Sequence, residues 1–194
     1  PTIDSSDKIP YFVHHIIPAD NTRILESAKV RLGAYIADGT TLMPGASYIN
    51  FNAGTLGPAM VEGRISSSAT VGPGTDVGGG ASIIGVLSGG NTTPITVGAN
   101  CLLGANSVTG IPLGDGCIVD AGIAVLPGSK VAIKAEDIDA LAAVNDNKLD
   151  ESRNIFKAIE LSGMNGVHFR LDTTTGQLIA FRSTYEIELN EALH

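Results

Sequence analysis

The stretch ISSSATVGPGTDVGGGASI, Ile65 to Ile83, decides the reading of this chain, because its branched aliphatics Ile65, Val71, Val77 and Ile83 recur every six residues. An α-helix places apolar residues at a spacing of 3.6 and a half-buried strand at 2, so six fits neither element alone. It fits a coil in which each six-residue unit supplies one short strand and one turn. Three units then close a turn of about 18 residues, with the branched residue inward and Gly, Asn, Asp and Pro at the corners.

The same register appears at Val30, Ile36 and Leu42, and returns at Val97 and Leu103, then at Leu113, Val119, Val125 and Val131. The gaps from Leu42 to Ile65, Ile83 to Val97 and Leu103 to Leu113 are 23, 14 and 10 residues, none a multiple of six. The expectation is that each gap holds a loop pushed out of the coil, where repeat proteins build binding surfaces. With 24 Gly, no Trp and 5% aromatic residues, yet 43% apolar ones, the composition suits a narrow coil better than a two-layer core. The fold class read here is all-β, a left-handed parallel β-helix with a small C-terminal α/β extension. Its expected units are a lead-in at residues 1–29, the coil at 30–133 and the extension at 134–194.

Outside the coil, Tyr11 to Ile17 reads as a strand and Pro18 to Asn21 as a turn. His14 and His15 are adjacent, so on a strand they point to opposite faces, and their role is read as structural rather than metal-binding. Ala135 to Asn145 reads as a short helix with acidic residues in its first turn. Asn154 to Leu161, Val167 to Leu171 and Leu178 to Ser183 read as a small meander, followed by a helical tail from Glu186 to Leu193.

The net charge of −8 argues against a nucleic-acid partner, which needs a basic surface. No Lys or Arg lies between Arg64 and Lys130, whereas six of the twelve basic residues fall between Lys130 and Arg170. That basic zone is either a solvated face or a seat for the phosphates of a nucleotide-like ligand. No apolar run approaches a membrane span and no signal peptide precedes the coil, so a cytoplasmic location is expected. The chain begins at Pro1 without a methionine, which fits a fragment or a processed product. Cys101 and Cys117 fall at or near inward positions, where thiols act as small hydrophobes, so neither a disulfide nor a zinc site is expected. Phosphate-loop, dinucleotide and esterase-elbow motifs are absent. Gly78, Gly79 and Gly80 lie in the coil register, where they allow a sharp turn or a close approach of ligand or chain.

The run Asn50 to Ile65, NFNAGTLGPAMVEGRI, followed by GGGASIIGVLSGG and CLLGANS, resembles the tetrahydrodipicolinate N-succinyltransferases of the long, actinobacterial and pseudomonad type. KAIELSG and the closing LNEALH resemble that family's C-terminal extension, so the resemblance covers about five sixths of the chain and leaves the family's upstream domain outside it. It implies succinyl transfer from succinyl-CoA to the amine of 2-amino-6-oxopimelate, the open form of tetrahydrodipicolinate, in lysine and diaminopimelate synthesis. It further implies a homotrimer with sites between neighbouring coils.

Carried over residue by residue, the family's catalytic carboxylate matches Glu62, as an acid/base or as a nucleophile. Its backbone donor to the thioester oxygen matches Gly85. The CoA contacts match Arg64, Gly79, Ser82, Ala105, Asp120, Ala121, Gly128, Lys157, Val167, His168, Phe169 and Arg170. Ala28 and Pro44-Gly45-Ala46 stand where some members place a magnesium-binding acidic pair, so no magnesium ligand carries over. A different class of reading is a non-catalytic trimeric scaffold of the same repeat. The γ-carbonic-anhydrase variant of it is disfavoured because the coil from Val30 to Val131 contains no His.

Overall fold

The computed structural model describes residues 21–85, 93–146, 148–185, 187 and 189. The expected strand at Tyr11 to Ile17, His14 and His15, and most of the helical tail lie outside the described residues.

From Thr40 onward the chain visits three parallel sheets in rotation. The first face holds β1 (Arg23–Ile24), β2 (Thr40–Leu42), β5 (Ala59–Val61), β8 (Thr75–Val77), β11 (Leu102–Leu103) and β13 (Ile118–Val119). The second holds β3 (Tyr48–Ile49), β6 (Arg64–Ile65), β9 (Ser82–Ile83), β12 (Val108–Thr109) and β14 (Ala124–Val125). The third holds β4 (Gly54–Thr55), β7 (Thr70–Val71) and β10 (Thr96–Val97), and Leu113 bridges to Val97 above them.

In-register pairing stacks the inward residues of successive turns. On the first face the column is Leu42, Val61, Val77, Leu103 and Val119. On the second it is Ile49, Ile65, Ile83, Thr109 and Val125, and on the third Thr55, Val71, Val97 and Leu113. All of these residues are buried. Cys101 and Cys117 are buried and free, as expected of small hydrophobes.

Two of the three expected loops are not loops. Ile49, Thr55 and Val61 carry the coil straight through the first gap, and Thr109 carries it through the third. The period breaks because the step from Leu42 to Ile49 takes seven positions, and the corners from Val61 to Ile65 and from Thr109 to Leu113 take four instead of six. The period is also masked because Thr55 and Thr109 stand where aliphatics were sought. In the second gap, residues 86–92 lie outside the described set.

The expected meander is also corrected. β17 (Val167–Asp172) and β18 (Gln177–Arg182) form an antiparallel hairpin, but β17 joins β13 on the first face. β16 (Ile155–Lys157) pairs instead with β15 (Lys130–Ala132), whose other neighbour is β18. The extension therefore lengthens the first face of the coil. The helix α1 (Ala135–Ala142) has Glu136 and Asp137 in its first turn and buries Ile138 and Leu141. It is shorter than expected because the Asn145 side chain donates to the Leu141 carbonyl at 2.9 Å, ending the helix.

Thr55 and Thr109 occupy equivalent inward positions with opposite polar accounts. Thr55 Oγ1 accepts from the Ala37 N–H at 3.1 Å and lies 2.7 Å from Thr40 Oγ1, whereas Thr109 Oγ1 is buried and has no hydrogen-bond partner among the described residues. Thr109→Val is therefore expected to stabilise the chain by about 1 kcal/mol, and Thr55→Val to cost about 1–3 kcal/mol by orphaning Ala37 N–H. Urea titration of both variants checks this, and equal effects would contradict it.

Candidate active site

The corner between the first and second faces is built from short turns that stack one above the next. Glu62 follows β5 at this corner, half-buried, with its N–H donating to Val77 O at 2.8 Å and its carbonyl accepting from Gly80 N–H at 3.1 Å. The triple glycine lies directly above it, and each glycine has its own reason. A Cβ on Gly78 would come within 2.6 Å of Leu103 O, and Gly80 adopts φ +71. At Gly79 the neighbour within 4 Å of such a Cβ, among the described residues, is Glu62 Oε2 at 3.6 Å, so bare backbone faces the carboxylate.

The same ridge continues upward. Ala105 is exposed, Asn106 N–H donates to Gly79 O at 2.9 Å, and Gly122 N–H donates to Ala105 O at 2.9 Å. Asp120 and Ala121 follow β13, and Asp120 N–H donates to Phe169 O at 3.0 Å. Glu62, Gly79, Ala105, Asp120, Ala121, His168 and Arg170 thus share one edge of the coil.

At the top of this ridge Asp120 holds His168 and Arg170 in place. Its Oδ1 lies 2.7 Å from His168 Nε2 and its Oδ2 accepts from Arg170 Nε at 2.7 Å. Partial burial pushes the Asp120 carboxyl up, but the Arg170 and His168 hydrogen bonds outweigh it and leave it below the usual carboxylate range. Phe181, which the sequence reading placed only within a strand, backs this cluster. Its ring lies 4.5 Å from that of His168, and the Arg170 guanidinium sits 5.3 Å from its centre. The signal was the Thr173 to Gly176 turn, because the hairpin it closes sets His168 opposite Phe181. Beyond the cluster opens a groove of about 770 Å³, lined in part by Ile179, Ala180, Phe181, Arg170 and Lys134.

The remaining expected residues fall elsewhere. Gly85 follows β9 at the corner between the second and third faces, where a Cβ would meet Ser66 Cβ at 2.9 Å and Ser67 N at 3.0 Å. Gly128 and Lys157 share that edge, since Ala158 N–H donates to Ser129 O and Ile159 N–H to Pro127 O. Arg64 and Ser82 pair across the outer side of the second face, between the two edges. Lys157 is three strands away from β17 in the extended first face, about 14 Å at 4.8 Å per strand, so it does not meet Arg170. Val167 and Phe169 are buried against the coil interior, leaving only their backbones for any ligand. Gly80 and Gly85 are five residues apart along β9, up to about 16 Å in extended chain, so Glu62 and Gly85 flank opposite edges of the second face.

A family model described as the hexapeptide repeat of succinyl-transferase matches residues 94–127. A 2,3,4,5-tetrahydropyridine-2,6-dicarboxylate N-succinyltransferase of Sulfurovum sp. is 65% identical over 195 residues, covering 100% of this chain and 49% of the relative. The enzyme of the same name from Helicobacter pylori is 59% identical, covering 100% and 49%. Over its whole length the chain is homologous to these N-succinyltransferases. A Campylobacter jejuni crystal structure described as a 2,3,4,5-tetrahydropyridine-2-carboxylate N-succinyltransferase superposes with a TM-score of 0.81 at 61% identity, covering 90% of this chain and 45% of that one. The chain spans about half the length of the curated relatives it matches. Among the described residues no helix is long and apolar enough to cross a membrane.

The Asp120 cluster carries a pH dependence of known sign. A carboxyl held below its unfolded value, about 3.9, contributes stability that is present above that value and lost as pH falls through the folded one. Asp120→Asn is expected to be less stable than the wild type at pH 6 but to lose less on acidification below pH 4. Denaturant titrations from pH 3 to 6 read this, and parallel curves for the two proteins would contradict it.

Proposed function

We propose that this chain moves the succinyl group of succinyl-CoA to the amine of tetrahydrodipicolinate, in its open form 2-amino-6-oxopimelate, for lysine and diaminopimelate synthesis in the cytoplasm. The observation that carries this reading is identity of 59% to 66% over the entire chain with relatives named for that reaction. In this reading the coil winds in the left-handed sense, residues 30–133 form the acyltransferase unit, 1–29 a lead-in, and 134–194 the extension that closes the CoA end.

Glu62 and Gly85 on opposite edges of one face explain how such a site would be completed. Glu62 lies on one edge and Gly85 on the other, so a homotrimer, with the Glu62 edge of one copy against the Gly85 edge of the next, would assemble three sites. The amine nitrogen attacks the thioester carbonyl and forms the C–N bond of a tetrahedral intermediate, whose collapse breaks the C–S bond. Glu62 takes the proton the amine sheds and the CoA thiolate is protonated on leaving. The Gly85 N–H would meet the oxyanion of the tetrahedral intermediate. The Glu62–Arg170 ridge, with small residues at Gly79, Ala105 and Ala121, is the track for the CoA arm.

Light scattering is expected to give about three times the 19.9 kDa chain mass, and a stable monomer would remove the shared site. Glu62→Gln keeps the shape but not the basicity and should lower turnover by about a hundredfold or more. Direct transfer further expects no CoA release until the amine is added. A stoichiometric succinyl adduct on Glu62, seen by rapid-quench mass spectrometry with succinyl-CoA alone, would replace it by a covalent route. Full activity of Glu62→Gln would overturn both.

A further inference from the structure

Cys101 and Cys117 are neighbours in one buried column at the start of the first-face strands. Leu102 pairs with Ile118, so the two cysteines face each other one position earlier, and Thr75, which precedes Leu102's other partner Asp76, lies one rung below Cys101. Ala59 and then Thr40 continue the column downward. All five residues are buried. The polar ones share one task. Thr40 Oγ1 donates to Gly57 O at 3.1 Å and Thr75 Oγ1 to Gly98 O at 2.8 Å, each clipping the turn of the rung above. Cys101 Sγ donates to Gly114 O and Cys117 Sγ to Met164 O, both at 3.1 Å. Cys117 N–H donates to Cys101 Sγ at 3.4 Å, as Cys101 N–H does to Thr75 Oγ1 at 3.0 Å.

A hydroxyl serves as this clip twice and is the stronger donor and acceptor, so the clip by itself does not call for sulfur. Two sulfurs in succession add what hydroxyls lack, a bond that can form between them. In-register rungs stand about 4.8 Å apart, inside the roughly 4.4–6.8 Å Cα separation that a disulfide spans. Bringing the Cβ atoms from that spacing into the usual range takes roughly half an ångström. Contact with the Cys117 thiol holds the Cys101 thiol below its ordinary range, whereas Cys101 and burial push Cys117 up. Cys101 therefore ionises first and is the better nucleophile of the two. Both sulfurs are buried, so the reagent must be small. The turn that covers Cys117, carrying Met164, borders a pocket of about 300 Å³ lined in part by Asn145, Ser162 and Asn165.

We propose that Cys101 and Cys117 form a redox-sensitive dithiol that hydrogen peroxide closes to a disulfide, loosening the turn that leads into β17. The Cys101 thiolate attacks the O–O bond, giving a sulfenic acid at Cys101 and hydroxide, which takes up the proton Cys101 lost and leaves as water. The Cys117 sulfur then attacks the sulfenic sulfur. The S–S bond forms as the S–O bond breaks, and the Cys117 proton departs with that oxygen as a second water. In a reducing compartment such a bond is transient and follows exposure to oxidant. Once it forms, Cys117 has no S–H to give Met164 O. Gly114 N–H still donates to that carbonyl at 3.1 Å and Gly166 N–H to Asp115 O at 2.7 Å, so the turn loosens without detaching. It runs directly into Val167, His168 and Arg170, and the change thereby reaches the Asp120 cluster.

The test treats the reduced chain with hydrogen peroxide and reads intact mass, free thiols, linked peptides and hydrogen exchange. The expected product is one chain lighter by two hydrogens, without free thiols, yielding a peptide pair joined through Cys101 and Cys117, and reverting with dithiothreitol. Amides of residues 163–168 should exchange roughly fivefold faster in the oxidised form, the factor that goes with one lost hydrogen bond. Cys101→Thr and Cys117→Thr copy the clip of Thr75, so each should keep the slow exchange of the reduced chain in peroxide and form no link. Should either variant fail to fold, reversal of the wild type's exchange by dithiothreitol gives the same answer. Thiols that stay free, sulfurs that oxidise separately, or a link between two copies would each overturn the proposal. So would a linked chain whose 163–168 amides exchange no faster. None of these readouts needs CoA or turnover, so the outcome is independent of the succinyl-transfer reading.

Discussion

Everything in this molecule depends on the in-register parallel pairing of one rung with the next. Each two- or three-residue strand is too short to persist alone, and it holds because its N–H and C=O groups are taken by the rungs above and below. Register in turn depends on the inward columns. A slip of one residue would turn Ile65 and Ile83 out to solvent and Arg64 and Ser82 into the interior. The columns therefore fix the register, and the register aligns the corners.

Corners are where the chemistry accumulates, for a physical reason. Strand residues alternate between the packed interior and a flat outer face, so they have little freedom of direction. At the corner between the first and second faces the chain turns with Gly79 and Gly80, and Glu62 lies beneath bare backbone. A ridge of small residues then repeats at Ala105 and Ala121 because every rung turns at the same edge. A ridge of this kind suits a long, thin ligand better than a closed cavity does.

The period of six made the coil legible in the sequence, and its phase breaks hid the continuity. Val61 to Ile65 and Thr109 to Leu113 are short corners, and a search for unbroken sixes took both for excursions. Thr55 and Thr109 were invisible for a second reason, since nothing local tells an inward threonine from an outward one. The pairing of β16 with β15 instead of β17 could not be read either, because three strand-like runs separated by turns fit a meander equally well until the first face claims β17. For the site, Glu62, Gly85 and the CoA contacts came from the resemblance of MVEGRIS and GGGAS. Composition showed only that cations were missing from the middle of the chain. The split of those residues between two edges of one face needed the three-dimensional register.

Arg170 on the ridge and Arg64 on the outer side of the second face are oriented in two different ways. Arg170 is held at 2.7 Å by Asp120 and backed by Phe181, so its charge is largely offset within the chain and its planar face is oriented. Arg64 is oriented instead by the neutral hydroxyl of Ser82, so its full charge remains for whatever approaches.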